Sequence, residues 1–188
     1  HGIVGHGGKV PLKNTVPWLP AVLQKAGYTT CAIDNLAPWH QGFGRGYEYY
    51  INPASRRPLG INCDSRDINN RAIPWLERNR EEPFFLFIHY WDPHTPYMPP
   101  RAYRRLFYDR AKDPCDPANT SLDNLARHPL GKIWRENWLN KLVRGKTVTD
   151  AEYVEALYDA EIRYCDEAIA QVLETLDRLD LAGRTLLV

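Results

Sequence analysis

No apolar run in this sequence comes near the roughly 20 residues that a helix needs to cross a bilayer. No sign of charge accumulates either. Against 24 Lys and Arg stand 23 Asp and Glu, a formal net charge of +1. That balance supplies no electrostatic footprint for nucleic acid or for an anionic membrane surface. The four cysteines, Cys31, Cys63, Cys115 and Cys165, include no C-x-x-C pair, so they do not read as a zinc site. They read as free thiols, with one disulfide as the alternative. Internal repeats and low-complexity tracts are missing. So is a leader-like N-terminal segment, although a chain that opens at His1 rather than at a methionine makes that uninformative. Nothing in the composition specifies a compartment or an oligomeric state.

What is present is enough for a packed domain. The chain has 188 residues, 44% of them hydrophobic and 25% charged. Trp18 to Ala26 reads as a short helix, with Leu19, Val22, Leu23 and Ala26 on one face and Gly27 as its stop. A strand follows over Tyr28 to Ile33. Glycines cluster at Gly42, Gly44 and Gly46, and the aromatics Tyr47, Tyr49 and Tyr50 come next. A second helix is predicted over Asp67 to Asn79, with Ile68, Ala72, Trp75 and Leu76 inward. Pro74 lies inside it and is expected to kink or shorten it. Phe84 to His89 is a continuous apolar run of the kind that buried parallel strands show.

Residues 101–146 are polar and basic, with Trp134 and Trp138 among them, and are expected to be irregular apart from one short helix. A long helix is predicted from Asp150 to about Leu179. Its apolar stripe runs Val154, Tyr158, Ile162, Cys165, Ile169, Val172, Leu176 and Leu179, at steps of three and four. Thr149 with Glu152 suggests a capping box at its start. Gly183 lies just past its end, and Arg184 to Val188 reads as another strand. Such alternation of helix and strand predicts an α/β layered fold with a largely parallel sheet flanked by helices. Sites in such sheets lie at the carboxyl ends of strands.

One strand end carries chemistry. His89, Asp92, His94 and Tyr97 lie close together in sequence, and Pro93 and Pro96 bracket His94 and Thr95. Imidazole can contact a developing anion or move a proton near neutral pH, and flanking prolines would hold it rigidly. A stiff surface turn with His89 closing the strand is the plainer reading. A metal site is the third, although three ligands from one short segment rarely suffice. From spacing alone these readings stay open.

The run from Phe84 to Tyr97, FFLFIHYWDPHTPY, closely resembles the PFFL…H…PH-x-P-Y segment of the sulfatase family, within the alkaline phosphatase superfamily. Further matches follow the family's order. Leu23 to Thr30 resembles its L…AGY-x-T step. Gly44 to Tyr50 resembles its RGF/Y-D-x-Y element. Tyr158 to Asp166 resembles the Y-x-A-E-I-x-x-x-D start of its long helix. Gly183 to Val188 is similar to the strand that leads to its metal-binding D-H-G loop. The resemblance spans nearly all of residues 1–188, which it identifies as part of a catalytic domain with a variable insertion at about 104–146. It implies an alkaline-phosphatase-like fold, incomplete here.

Family members hydrolyse sulfate esters, and some relatives hydrolyse phosphodiesters or phosphonate esters. The resemblance implies a small-molecule or carbohydrate sulfate ester as substrate, a formylglycine nucleophile and a Ca²⁺-type ion. The formylglycine arises in a C/S-x-P-x-R motif. No such motif occurs here, and Cys115-Asp116-Pro117 has the proline without the arginine. Both the nucleophile and the metal ligands are therefore expected outside this chain. His94 aligns with the histidine that contacts the sulfate group, which implies oxyanion contact and, less directly, leaving-group protonation. Asp92 is expected to orient the loop, and Tyr97 to form a pocket wall. Many members carry G-K-x-H after the strand matched by Tyr28 to Ile33. This chain instead reads Ile33-Asp34-Asn35-Leu36-Ala37-Pro38-Trp39-His40 and has no lysine there. Asn35 and His40 are the candidate substitutes. The missing lysine also keeps a noncatalytic binding protein of the same fold as an alternative.

Overall fold

The computed structural model describes residues 15–35, 42–53 and 64–188. In chain order the elements are α1 (Leu19–Lys25), β1 (Thr29–Ile33), β2 (Tyr49–Ile51), α2 (Ser65–Asn79) and β3 (Phe84–Ile88). Short helices α3 (Asp123–Arg127) and α4 (Pro129–Trp134), a π-helical turn over Arg135–Leu139 and α5 (Asn140–Leu142) come next. The chain then forms α6 (Ala151–Arg178) and a 3-10 turn over Ala182–Arg184. Two compact units emerge, residues 1–91 with 168–188, and residues 92–167.

The first unit is built on a three-stranded parallel sheet of order β2-β1-β3. Ile33 of β1 pairs with Ile51 on one side and with Ile88 on the other. Because side chains alternate along a strand, each face of this sheet has its own chemistry. Cys31 and Ile33 share a core with Ile68, Ala72, Trp75 and Leu76 of α2, and with Val172 and Leu176 of α6. Phe84, Leu86 and Ile88 pack against that core from β3. This is the expected α/β layering with parallel strands. β3 is half-buried along its length rather than enclosed.

α2 begins two residues before its predicted start. Asp64 accepts from the Asp67 amide at 3.0 Å, and Asp67 accepts from the Asp64 amide at 3.3 Å. This reciprocal box satisfies two backbone donors that a helix start leaves open. The helix then continues through Pro74 to Asn79 and is not cut short. Burial of Ile68, Ala72, Trp75 and Leu76 outweighs the one lost backbone bond. In α1, by contrast, Leu19 and Val22 are exposed and Pro20 is the buried residue, so the expected inward face is not the packed one. β2 was not anticipated from the sequence. Its residues belong to a glycine-rich stretch, and Gly46 explains why glycine is needed there. It has φ +78°, and a Cβ on it would overlap the backbone of Ala21.

The second unit has its own core of Tyr108, Leu122, Leu139, Val148, Tyr153, Ala156 and Leu157. Residues 123–142 form a chain of short helical segments, more ordered than the single short helix expected. α6 has the predicted length, and its predicted stripe is buried at Cys165, Val172 and Leu176, but the first half of the helix turns a different face inward. Its buried positions include Tyr153, Ala156, Leu157, Ala160, Glu161, Tyr164, Cys165 and Ala168, while Tyr158, Ile162 and Ile169 are exposed. The apolar stripe is broad, and small Ala residues let the backbone approach where Tyr158 and Ile162 would not. The start of α6 also differs. Asp150 accepts from the Glu152 amide at 2.9 Å, whereas the Thr149 hydroxyl donates to the carbonyls of Pro114 and Asp116. The Glu152 carboxylate pairs with Lys112 instead of closing a box.

α6 ends at Arg178, and Asp180 in the turn that follows takes the left-handed conformation with φ +57°. Leu181 then donates back to the Leu176 carbonyl at 2.8 Å. Arg184 to Val188 does not form the predicted strand, and Leu186 and Leu187 are exposed. A strand needs a paired neighbour, and among the described residues none is aligned with this segment. Gly46→Ala is expected to lower stability by about 1 kcal/mol or more, through the left-handed backbone and the overlap with Ala21. Gly183→Ala, with nothing within 4 Å of its new methyl, should stay within about 0.5 kcal/mol. Urea unfolding of both variants checks this, and equal losses would refute the packing argument.

Candidate functional site

The carboxyl edge of the sheet gathers a polar group that the spacing of the sequence did not reveal. The pairing of Ile33 with Ile88 sets the next residues, Asp34 and His89, side by side on the face opposite Ile33. His89 Nδ1 lies 2.7 Å from Asp34 Oδ1. The Tyr50 hydroxyl, from β2, donates to Asp34 Oδ2. Asp34 is fully buried. Burying a carboxylate costs several kcal/mol unless hydrogen bonds replace its water, and each bond to a charged group returns about 1.5–3 kcal/mol. Backbone bonds hold the flanks. Asp34 donates to the Ile51 carbonyl at 3.1 Å, and His89 to the Ile33 carbonyl at 3.0 Å. Tyr47 stacks on Phe85 on the same face. Its hydroxyl is pushed up to about 12, first by burial and then by the negative charge of Asp34.

Asn35 follows directly and is buried, with 2% of its surface exposed. It therefore sits beneath the surface at the end of β1. His40 lies outside the described residues, as does Cys63. Cys31 and Cys115 are free thiols. Burial pushes the Cys31 thiol up to about 12, which leaves it protonated and a poor nucleophile.

Asp92, His94 and Tyr97 belong to the loop that opens the second unit. His94 is exposed, and its Nδ1 is 2.6 Å from the Thr95 carbonyl. The carbonyl can only accept, so Nδ1 carries the proton. Both Asp92-Pro93 and Thr95-Pro96 are cis. Tyr97 packs edge-on against Trp134 at 5.8 Å and Tyr158 at 5.1 Å, within this unit's aromatic cluster. Trp134 is partly buried against this unit's core. Among the described residues no group of three or more His, Cys, Asp or Glu could hold a metal ion.

Glu161 was also missed. It lies on the buried face of α6, with 3% of its surface exposed. Oε1 accepts from the Met98 amide at 2.6 Å and so ties down the loop that carries His94. Oε2 is buried with no hydrogen-bond partner among the described residues. Burial raises its pKa to about 8, the Met98 amide opposes this, and the Asp92 charge adds to it. The signal was a glutamate at an inward position, hidden because the apolar stripe was phased one residue away.

With a folded pKa near 8 against an ordinary 4.5, the folded chain keeps a proton that the unfolded chain has lost. Stability should therefore fall as pH rises through that window and level off above it. Glu161→Gln retains an acceptor for Met98 and removes the titration. Its thermal midpoint should match the parent near pH 4.5 and exceed it near pH 9. Parallel pH profiles for the two proteins would contradict the assignment.

The sequence model of the sulfatase family matches residues 1–188. A multifunctional alkaline phosphatase superfamily protein, PehA of Trinickia caryophylli, is 29% identical over 160 residues, covering 75% of this chain and 30% of that protein. The chain therefore spans less than a third of that relative's length. The match runs the whole length of the chain, through the Asp34 strand end and the His94 loop alike, and the chain belongs to the sulfatase family.

Proposed function

We propose that these residues are part of a sulfate-ester hydrolase. The observation that carries this reading is the family match across residues 1–188, which takes in the PHTPY loop. His94 is exposed on that loop, with its Nδ1 proton held by a backbone carbonyl. A ring oriented in this way can contact an ester oxygen as negative charge builds on it. Asp92 and Tyr97 shape the same loop. Asn35 and His40 are proposed as anion contacts in place of the lysine and histidine that many relatives use.

The described residues do not supply a metal cage, and the sequence has no formylglycine motif. The Ca²⁺ ligands and the formylglycine nucleophile of the proposed reaction are assigned to residues outside 1–188. The substrate class is a small-molecule or carbohydrate sulfate ester.

A second reading, a phosphodiester or phosphonate ester hydrolase, draws support from PehA, whose name describes a multifunctional member of the superfamily. The test is steady-state hydrolysis by the full-length protein of 4-nitrophenyl sulfate, bis-4-nitrophenyl phosphate and 4-nitrophenyl phenylphosphonate. Sulfate should give the highest kcat/KM. His94→Ala should lower it about 10²–10³-fold, the usual loss for one oxyanion donor. A preference for either phosphorus ester would establish the second reading. Binding of sulfate esters without turnover would make the protein a noncatalytic member of the family.

A further inference from the structure

The loop that carries His94 has few means of holding itself. Pro93, Pro96, Pro99 and Pro100 bring no amide protons, so it cannot build a backbone ladder of its own. It is fastened instead along one side of α6. Tyr97 meets Tyr158 at 5.1 Å, the Met98 amide donates to Glu161 Oε1 at 2.6 Å, and Tyr103 meets Tyr164 at 5.2 Å. Tyr158, Glu161 and Tyr164 follow at steps of three, which stacks them on one side of the helix. The Tyr103 hydroxyl continues the row by donating to Glu167. In this row Glu161 is the residue that grips backbone, close to His94.

A leucine would fill the place of Glu161 at less cost, because a buried carboxyl loses its bonds to water. What the glutamate adds is an acceptor for Met98. Its other oxygen, Oε2, is buried with no hydrogen-bond partner among the described residues. Asp92 and Tyr97 face it from the loop, and Tyr158 and Tyr164 flank it on the helix. The charge that acts on it is that of Asp92, which has the same sign as an ionised glutamate, and no cation among the described residues offsets it. The carboxyl therefore suits this setting when neutral. Once ionised it gains by turning toward water, and that turn breaks its bond to Met98.

We propose that Glu161 is a positioning residue for His94, acting through the Met98 amide, and that the loop it holds undocks when the buried carboxyl ionises. This rests on the ester-hydrolase reading, in which His94 meets the ester. The sign follows from the two forms. The docked form keeps a proton to about pH 8, whereas a released carboxyl returns to its ordinary 4.5. Docking therefore weakens as pH rises between these values and levels off above the higher one.

The test uses the full-length protein with Glu161→Gln, which keeps the acceptor and cannot ionise, and Glu161→Leu, which keeps the volume and has no acceptor. Hydrogen exchange of the peptide spanning residues 92–98, corrected for the intrinsic pH dependence of exchange, reads docking without a substrate. Protection in the parent should fall about 10-fold per pH unit between about pH 5.5 and 7.5, one proton being linked to docking, and should stay flat in Glu161→Gln. Kinetics are measured at neutral pH, well below each thermal midpoint, on whichever sulfate or phosphorus ester the parent prefers. Glu161→Gln should stay within about 3-fold of the parent, while Glu161→Leu should lose about 10-fold or more in kcat with KM little changed, as a misplaced transition-state contact does. Matching exchange profiles for the parent and Glu161→Gln would overturn the undocking. An unchanged kcat in a folded Glu161→Leu would overturn the positioning role and leave a contact that serves stability alone. If Glu161→Leu does not fold, the exchange comparison of the parent with Glu161→Gln decides. If the parent hydrolyses no ester, the hydrolase reading falls, and the same comparison still decides whether Glu161 holds the loop.

Discussion

The pairing of β1 with β3, with Ile33 beside Ile88, is the constraint on which the first unit depends. It sorts the side chains onto two faces. One face, with Cys31 and Ile33, is closed by α2 and the last turns of α6. The other carries Phe85, Phe87 and the polar residues at the strand ends. A slip of one residue would exchange the faces, burying Asp34 in the apolar core and leaving Ile33 beside His89. Ladder bonds are individually worth about 1 kcal/mol. The register is held far more firmly by the cost of placing an unpaired carboxylate in the hydrocarbon core, which amounts to several kcal/mol. Asp34 thus serves the fold, where Tyr50 and His89 both reach it.

The second unit solves a different problem, how to hold an exposed loop still. The loop around His94 is held by polar and aromatic anchors together. Its anchor at Met98 is a hydrogen bond to Glu161, a side chain from the inward face of α6. Tyr97 adds an aromatic anchor against Trp134 and Tyr158. A lysine or arginine beside Glu161 would have stabilised the ionised form. Among the described residues one oxygen of Glu161 is left without a partner in a buried setting, so a neutral carboxyl is the form that suits the fold at neutral pH. Glu161 therefore acts here as a polar peg rather than as a charge.

The two strand-end groups differed in how far they could be read in advance. The His94 loop was legible because its residues are adjacent in sequence and its pattern, PHTPY, resembles that of a family. The group of Asp34, Tyr50 and His89 was not. Its members lie 16 and 55 residues from Asp34, and only the strand order brings them together. His89 was read as closing a strand, which it does, but its partner was out of reach of any local argument. Asn35 was singled out by its place in a motif, and its deep burial became visible only once β1 was packed. The inward turn of Glu161 is not legible in the sequence, because an amphipathic stripe identifies a helix more reliably than it sets its rotation.

The sequence by itself determined the elements whose signals are local. These include α2 with Ile68, Ala72, Trp75 and Leu76 inward, the apolar strand β3, the span of α6, the α/β class and the family. Hydrophobic period and turn chemistry act over a few residues, so they are written where they operate. The tertiary structure decided the rest. It set the register that joins Asp34 to His89, added β2, turned α6 so that Glu161 faces inward, and left residues 185–188 without a strand partner among the described residues. Each of these depends on which distant surface is available for pairing or burial, and a contact between distant residues has no period along the chain that could announce it.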